Sequence, residues 1–230
     1  LVIALSAQAS EGALYEVDMR LRPSGHSGPV ATQFDGFVDY QNNKAWTWEH
    51  MALTRARVVS GPEALVRKIE DAIRDVLVVE RERSQLAEDV REMRARIEKE
   101  KGTADIWDIK NVSGGLVDLE FINQFLQLAW AHQCPDVLDQ NTAAGLEKLA
   151  ARGILSAPDA EILVPAAALY HNLTHVLRLC LERPFDPQNT SPGLRALLAR
   201  AAGVDSFEDV ESALKRSLGG VRDAFDRLVV

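Results

Sequence analysis

From Leu14 to Arg22 apolar and charged residues alternate, the period-two pattern of a half-buried strand. Tyr15, Val17, Met19 and Leu21 fall on one face; Glu16, Asp18, Arg20 and Arg22 fall on the other. The pattern ends at Pro23-Ser24-Gly25 and Ser27-Gly28, a turn composition. Ahead of it, residues 1–9 read as the end of a helix. Behind it, residues 34–40 and 45–59 read as short helices with a further strand. At Ser60-Gly61-Pro62-Glu63 the texture changes: a Ser, an early Pro and a Glu three residues on predict a capping-box helix start.

From there the period is 3.6. Leu65, Ile69, Ile73 and Val76 mark one apolar stripe, and Leu86, Val90, Met93 and Ile97 mark a second inside the charged run 81–101, which ends at Gly102. Residues 116–130 are apolar nearly all round, which predicts a central buried helix. Further helices are expected over 142–152, stopping at Gly153, over 156–182, with a kink or break at Pro165, after Ser191-Pro192, and after Ser206. The fold class read from this is α+β, mostly α. Residues 1–60 form a small mixed part and 61–230 a helical bundle.

Composition narrows the picture. With 230 residues, 47% hydrophobic and 26% charged, the chain can bury one large core or two small ones. A net charge of -8 argues against a body built to hold nucleic acid. Cys134 and Cys180 lack metal-like or redox-like spacing, so a reducing, cytoplasmic compartment is expected. No apolar run reaches membrane-spanning length, so no membrane association is expected. The opening LVIALSAQAS has neither a starting Met nor a basic leader region, and a chain opening inside an apolar helix-like segment is expected to be cut from something longer.

Several residues carry candidate chemistry. Asp18 between two arginines can serve cross-strand charge pairing, or it can be a carboxylate ligand to a hard cation such as Mg²⁺, with Arg20, Arg22 and Ser24 meeting phosphate. Trp46, Trp48 and His50 suit either a packed aromatic corner or a stacking platform. Arg55 and Arg57 suit ion pairing with Glu16 and Glu49, or phosphate contact. Lys110, Asp118 and Glu120 surround Gly114-Gly115 at a helix start. Asp118 and Glu120, two apart, do not share a helix face, and Glu120 in an apolar helix needs a cation, from Lys110 or from an arginine of the first part. This places a joint there. His171 and His175 share a helix face, yet lack the further ligands of a zinc site. The charged 81–101 helix reads as a solvated face or as a docking surface for a protein substrate.

Three blocks in order, YEVDMRLRPSG at 15–25, AWTWEHMALTRARVVSG at 45–61 and WDIKNVSGGLVDLEFINQFLQL at 107–128, resemble the glutamine synthetase adenylyltransferase family. The resemblance implies the distal part of a DNA polymerase beta-type nucleotidyltransferase domain followed by a helical domain. The wording of the second block is similar to the adenylylating half rather than the deadenylylating, phosphorolytic half. It implies ATP as substrate, Mg²⁺ as cofactor, and glutamine synthetase and the PII signalling protein as partners. On this resemblance Asp18 matches the third metal-binding carboxylate. Arg20, Arg22, Ser24 and Lys110 are candidates for nucleotide or phosphate contact, and Trp48, Glu49, Arg55, Arg57, Asp118 and Glu120 for interdomain or substrate contact. The family's Asp-x-Asp pair does not occur in these residues, so the chain by itself is expected to be inactive. A rival expectation is a non-catalytic helical module that binds glutamine synthetase or PII.

Overall fold

A computed structural model describes residues 2–10, 12–13, 17–19 and 21–230. The expected strand falls partly outside that set, at Leu14, Tyr15, Glu16 and Arg20. Its described residues Val17–Met19 take no regular conformation, and residues 21–24 form a turn. A strand exists by exchanging backbone hydrogen bonds with a neighbour. Among the described residues the pairing consists of a two-residue antiparallel ladder, β1 (Gln8–Ala9) with β2 (Gly12–Ala13), preceded by the short helix α1 (Val2–Ser6), and one isolated parallel bridge between Thr103 and Val112. The further strand expected before Ser60 is likewise irregular backbone.

The remainder is helical. α2 (Phe34–Asn43) and α3 (Thr47–Leu53) precede α4 (Glu63–Leu77). The capping box expected at Ser60 does not form. Pro62 occupies the N-cap position without a side-chain cap, so Glu63 opens the helix instead of sitting in its third position. A carboxylate does reach back one helix earlier, where Glu49 accepts the Trp46 backbone N–H at 2.9 Å. α5 (Arg83–Lys101) is capped by the Glu82 carboxylate, which accepts from the backbone N–H groups of Ser84 and Gln85 at 3.0 and 2.6 Å.

α6 (Leu116–Trp130) is the central helix that its all-round apolar sequence predicts. Leu119, Ile122, Phe125 and Leu128 are fully buried. α7 (Thr142–Ala151) ends before Gly153, whose φ of +69° is costly for other residues. α8 (Ala157–Cys180) runs unbroken through Pro165. The missing N–H frees the Glu161 carbonyl, and Glu161 is exposed, so water can take the bond. Ser191 caps α9 (Pro192–Ala202), and Ser206 caps α10 (Phe207–Leu228), as their sequences predict. α5, α7, α8 and α10 surround α6. α3 packs on α4, α5 and α6, so Met51 and Leu53 share one core with Val90 and Leu119.

Candidate functional site

The glycine pair is the best-determined of the sequence's candidate features. Gly114 has φ +76°, and a Cβ there would lie 1.8 Å from the Leu218 carbonyl oxygen. At Gly115 a Cβ would lie 2.2 Å from the Ile109 carbonyl oxygen. Both positions therefore exclude side chains because backbone packs on backbone, the first against α10. Asp118, fully buried, accepts the Gly114 N–H at 2.5 Å. Its two oxygens also accept from Arg94 of α5, through Nε to Oδ1 and through Nη2 to Oδ2 at 3.1 Å. Arg94 is 2% exposed. Arg222 of α10 brings Nη1 to 3.8 Å from Asp118. Tyr170 of α8 donates its hydroxyl to the Gly114 carbonyl at 2.8 Å, and burial pushes its phenol well above the ordinary value. Four helices thus converge on one turn. Asp118 serves the architecture, in keeping with its place in a first helical turn.

Arg94, Tyr170 and Arg222 are absent from the sequence candidates. Arg94 carried a readable signal: it stands four residues after Val90, on the apolar stripe of a charged helix, where a cation needs a buried partner.

Glu120 points elsewhere, as its two-residue offset from Asp118 requires. Its Oε1 accepts from Arg55 Nη1 at 2.7 Å, so the cation comes from the segment after α3 rather than from Lys110. Lys110 is exposed in the turn before α6, and Arg57 is exposed in irregular backbone. Glu49 is buried, accepting the Tyr40 hydroxyl at 2.9 and 3.1 Å as well as the Trp46 N–H. Burial raises the Tyr40 phenol above its usual range. His50 Nε2 meets the Gln41 carbonyl at 2.9 Å, so that nitrogen carries the proton, while Nδ1 faces Arg81 Nη2 at 3.4 Å. Burial holds this imidazole below 6.5. Trp46 is exposed and Trp48 half-buried.

Trp48, Glu49, Arg55 and Glu120 meet along a cleft of about 650 Å³ between α2, α3, α4, α5 and α6. Phe37, Met51, Ile73, Met93, Ile97 and Phe121 supply its apolar wall. Four of the residues singled out as interdomain or substrate contacts are therefore brought together, while Arg57 is not among its lining residues and Asp118 faces the opposite cluster. His171 and His175 stack at 6.2 Å between ring centroids. Burial lowers His171 against the raising influence of Glu120.

Asp18 is exposed on the irregular stretch 17–19, and Arg20 lies outside the described residues. Arg22 turns back on its own loop, donating to the Gly28 carbonyl at 3.3 Å and the Met19 carbonyl at 3.1 Å. Ser24 holds a left-handed backbone, φ 62°, at the start of the single turn Gly25–Ser27. Among the described residues no group of three or more His, Cys, Asp or Glu is placed to hold a metal ion. None of the described helices is long and apolar enough to cross a membrane.

Residues 1–72 match the family model described as Glutamate-ammonia ligase adenylyltransferase. Residues 84–229 match that described as GlnD PII-uridylyltransferase. Both descriptions are of nucleotidyltransferases. The chain is 46% identical over 229 residues to the bifunctional glutamine synthetase adenylyltransferase/adenylyl-removing enzyme of Rhodopseudomonas palustris, covering 100% of this chain and 23% of that protein. The enzymes of the same name from Bradyrhizobium diazoefficiens and Xanthobacter autotrophicus are 47% and 45% identical, with the same coverage. The chain belongs to the glutamine synthetase adenylyltransferase family and spans about a quarter of the length of these relatives.

Proposed function

We propose that the protein carrying this chain transfers AMP from ATP to a tyrosine hydroxyl of glutamine synthetase. In this reading residues 1–60 are the distal part of a polymerase beta-type nucleotidyltransferase domain and 61–230 its helical partner. The observation that carries it is the order of the two family matches along one chain, fastened by the Arg55–Glu120 pair across them. The wording AWTWEH and LTRAR favours the adenylylating half.

Mg²⁺ usually takes one or two carboxylates and fills its remaining positions with water and phosphate oxygens. Asp18 offers one exposed carboxylate, which fits one such ligand and not a complete site. When bound, the ion neutralises phosphate charge at the reacting phosphorus. Arg22, braced on two carbonyls, holds the turn that follows Asp18; Ser24 and Arg20 stand beside it in sequence as phosphate-contact candidates. Trp48, Glu49, Arg55 and Glu120 position the helical body against the nucleotidyltransferase part. The PII signalling protein is a second proposed partner, in line with the uridylyltransferase-type match. The cytoplasm is the proposed compartment.

The test is transfer of labelled AMP from ATP to purified glutamine synthetase by the full-length protein, with and without Asp18→Asn. Loss of transfer in the variant, with thermal stability unchanged, is expected. Undiminished transfer removes Asp18 from the metal site. Phosphate-dependent removal of AMP that alone responds to Asp18→Asn identifies the deadenylylating half instead. Binding of glutamine synthetase or PII with neither transfer nor removal of AMP leaves the non-catalytic module.

A further inference from the structure

The turn that follows Asp18 is held in a conformation its own sequence disfavours. Ser24 takes φ 62° and ψ 16°, and among the described residues it is the one non-glycine position with a positive φ. A left-handed backbone at such a residue costs energy and persists only where the surroundings impose it, commonly beside a functional group. The turn is also tightly closed: a Cβ on Gly28 would lie 2.0 Å from the Pro23 carbonyl oxygen. Arg22 spans the closure, donating to the Gly28 carbonyl at 3.3 Å and to the Met19 carbonyl, next to Asp18, at 3.1 Å.

The anchor comes from the helices. The Ser24 backbone N–H is directed at the Tyr40 hydroxyl oxygen of α2, where it opposes the upward push of burial on that phenol. Tyr40 in turn donates to Glu49 of α3, at 2.9 and 3.1 Å from the two carboxylate oxygens. Glu49 is 7% exposed and is itself held by the Trp46 N–H at 2.9 Å. A hydroxyl that donates to a carboxylate is a better acceptor on its own oxygen, since hydrogen bonds in a chain polarise one another. Leu21 lies against the same two helices, in the cleft that Gln41 and Trp48 also line. The relay from Glu49 through Tyr40 to Ser24 thus runs from a helix start to the turn, and Arg22 carries it on to the backbone beside Asp18.

We propose that Tyr40 and Glu49 are positioning residues for the Asp18 carboxylate, fixing through Ser24 and Arg22 the backbone from which it meets a divalent cation. This rests on the reading of Asp18 as a metal ligand. Ligands are held to within about 0.5 Å of productive geometry by supporting groups that do not themselves touch the ion, and such groups contribute to metal affinity without supplying a bond to it.

The probe is Mn²⁺, a paramagnetic stand-in for Mg²⁺ at oxygen ligands, titrated into the full-length protein and followed by electron paramagnetic resonance. The binding read is the part that Asp18→Asn removes. Tyr40→Phe is expected to raise the dissociation constant of that part about 3- to 10-fold, the worth of one hydrogen bond, and to speed hydrogen exchange of the amides in residues 21–28. Glu49→Gln, which keeps the size of the side chain and loses an acceptor oxygen, is expected to act in the same direction. Tyr170→Phe removes a comparable hydroxyl from the Gly114 cluster; it is expected to lower the melting temperature and leave the Mn²⁺ constant unchanged. If Asp18→Asn removes Mn²⁺ binding while Tyr40→Phe and Glu49→Gln leave it unmoved, the positioning role is overturned and Asp18 stands as a ligand. Equal weakening by Tyr170→Phe overturns it too, because the effect is then general destabilisation. If Asp18→Asn removes no Mn²⁺ binding, the metal-ligand reading falls and the positioning role falls with it.

Discussion

Removal of the Asp118 carboxylate charge tests the central architectural reading most severely. Asp118→Asn keeps the size of the side chain while leaving Arg94, 2% exposed, facing a neutral amide that cannot accept from two guanidinium N–H groups and the Gly114 N–H as the carboxylate does. Breaking one side of a buried pair costs about 3–5 kcal/mol, because the surviving charge stays in the interior. Native stabilities are about 5–15 kcal/mol, so this is a large part of the total. At about 2–4 °C per kcal/mol for a domain of this size, the melting temperature should fall by about 6–20 °C. The assay is urea and thermal unfolding of Asp118→Asn, Arg94→Met and the double variant Asp118→Asn/Arg94→Met. The double variant should be far more stable than the sum of the single losses implies, since it removes both charges together. A loss below about 1 kcal/mol in Asp118→Asn, or strict additivity in the double variant, refutes the reasoning, because the pair would then behave like a solvated one.

Three further outcomes follow from the same geometry. Gly114→Ala should destabilise by more than the ~1–3 kcal/mol of an unfavourable backbone conformation, since its Cβ also meets the Leu218 carbonyl, while Gly219→Ala, within α10 and with nothing in reach, should stabilise by about 0.5–1 kcal/mol; paired melting curves check both. Tyr170 keeps its proton more tightly when folded than when unfolded, so stability should decline as pH rises past 10.0, and Tyr170→Phe should lessen that slope at the cost of about 1 kcal/mol near neutrality, read from urea midpoints. His50 and His171 behave oppositely: the unfolded chain binds their protons near 6.5 while the folded chain resists, so stability should fall as pH drops below 6.5, and His50→Gln should flatten the decline.

The helical part was legible because its signals are local. The all-round apolar run 116–130, the starts at Ser191 and Ser206 and the stop at Gly153 depend on residues within a turn or two of one another. Ser60 misled because Pro62 took the cap position and shifted the helix start to Glu63. The alternation at 14–22 specifies which faces a strand would present and not which neighbour would pair with it, and pairing is a long-range matter. The candidate site divides in the same way. Spacing alone separated Asp118 from Glu120 and required a cation for Glu120; it could not choose between Lys110 and Arg55, which lies 65 residues away.

α10 covers Gly114 with its backbone, presents Arg222 to Asp118, and leads to the Val229 carbonyl, to which Arg91 donates at 3.0 Å. Synthesis makes these partners in the wrong order. α6 leaves the ribosome roughly 100 residues before α10 is complete, an interval of about 5–20 s at ordinary translation rates. During that interval the nascent chain holds an almost wholly apolar helix with one flank uncovered, and the ion pair at its start lacks its final neighbour. Burial of α6 therefore waits on α10, and a truncation that spares every proposed catalytic residue but removes α10 should yield a chaperone client.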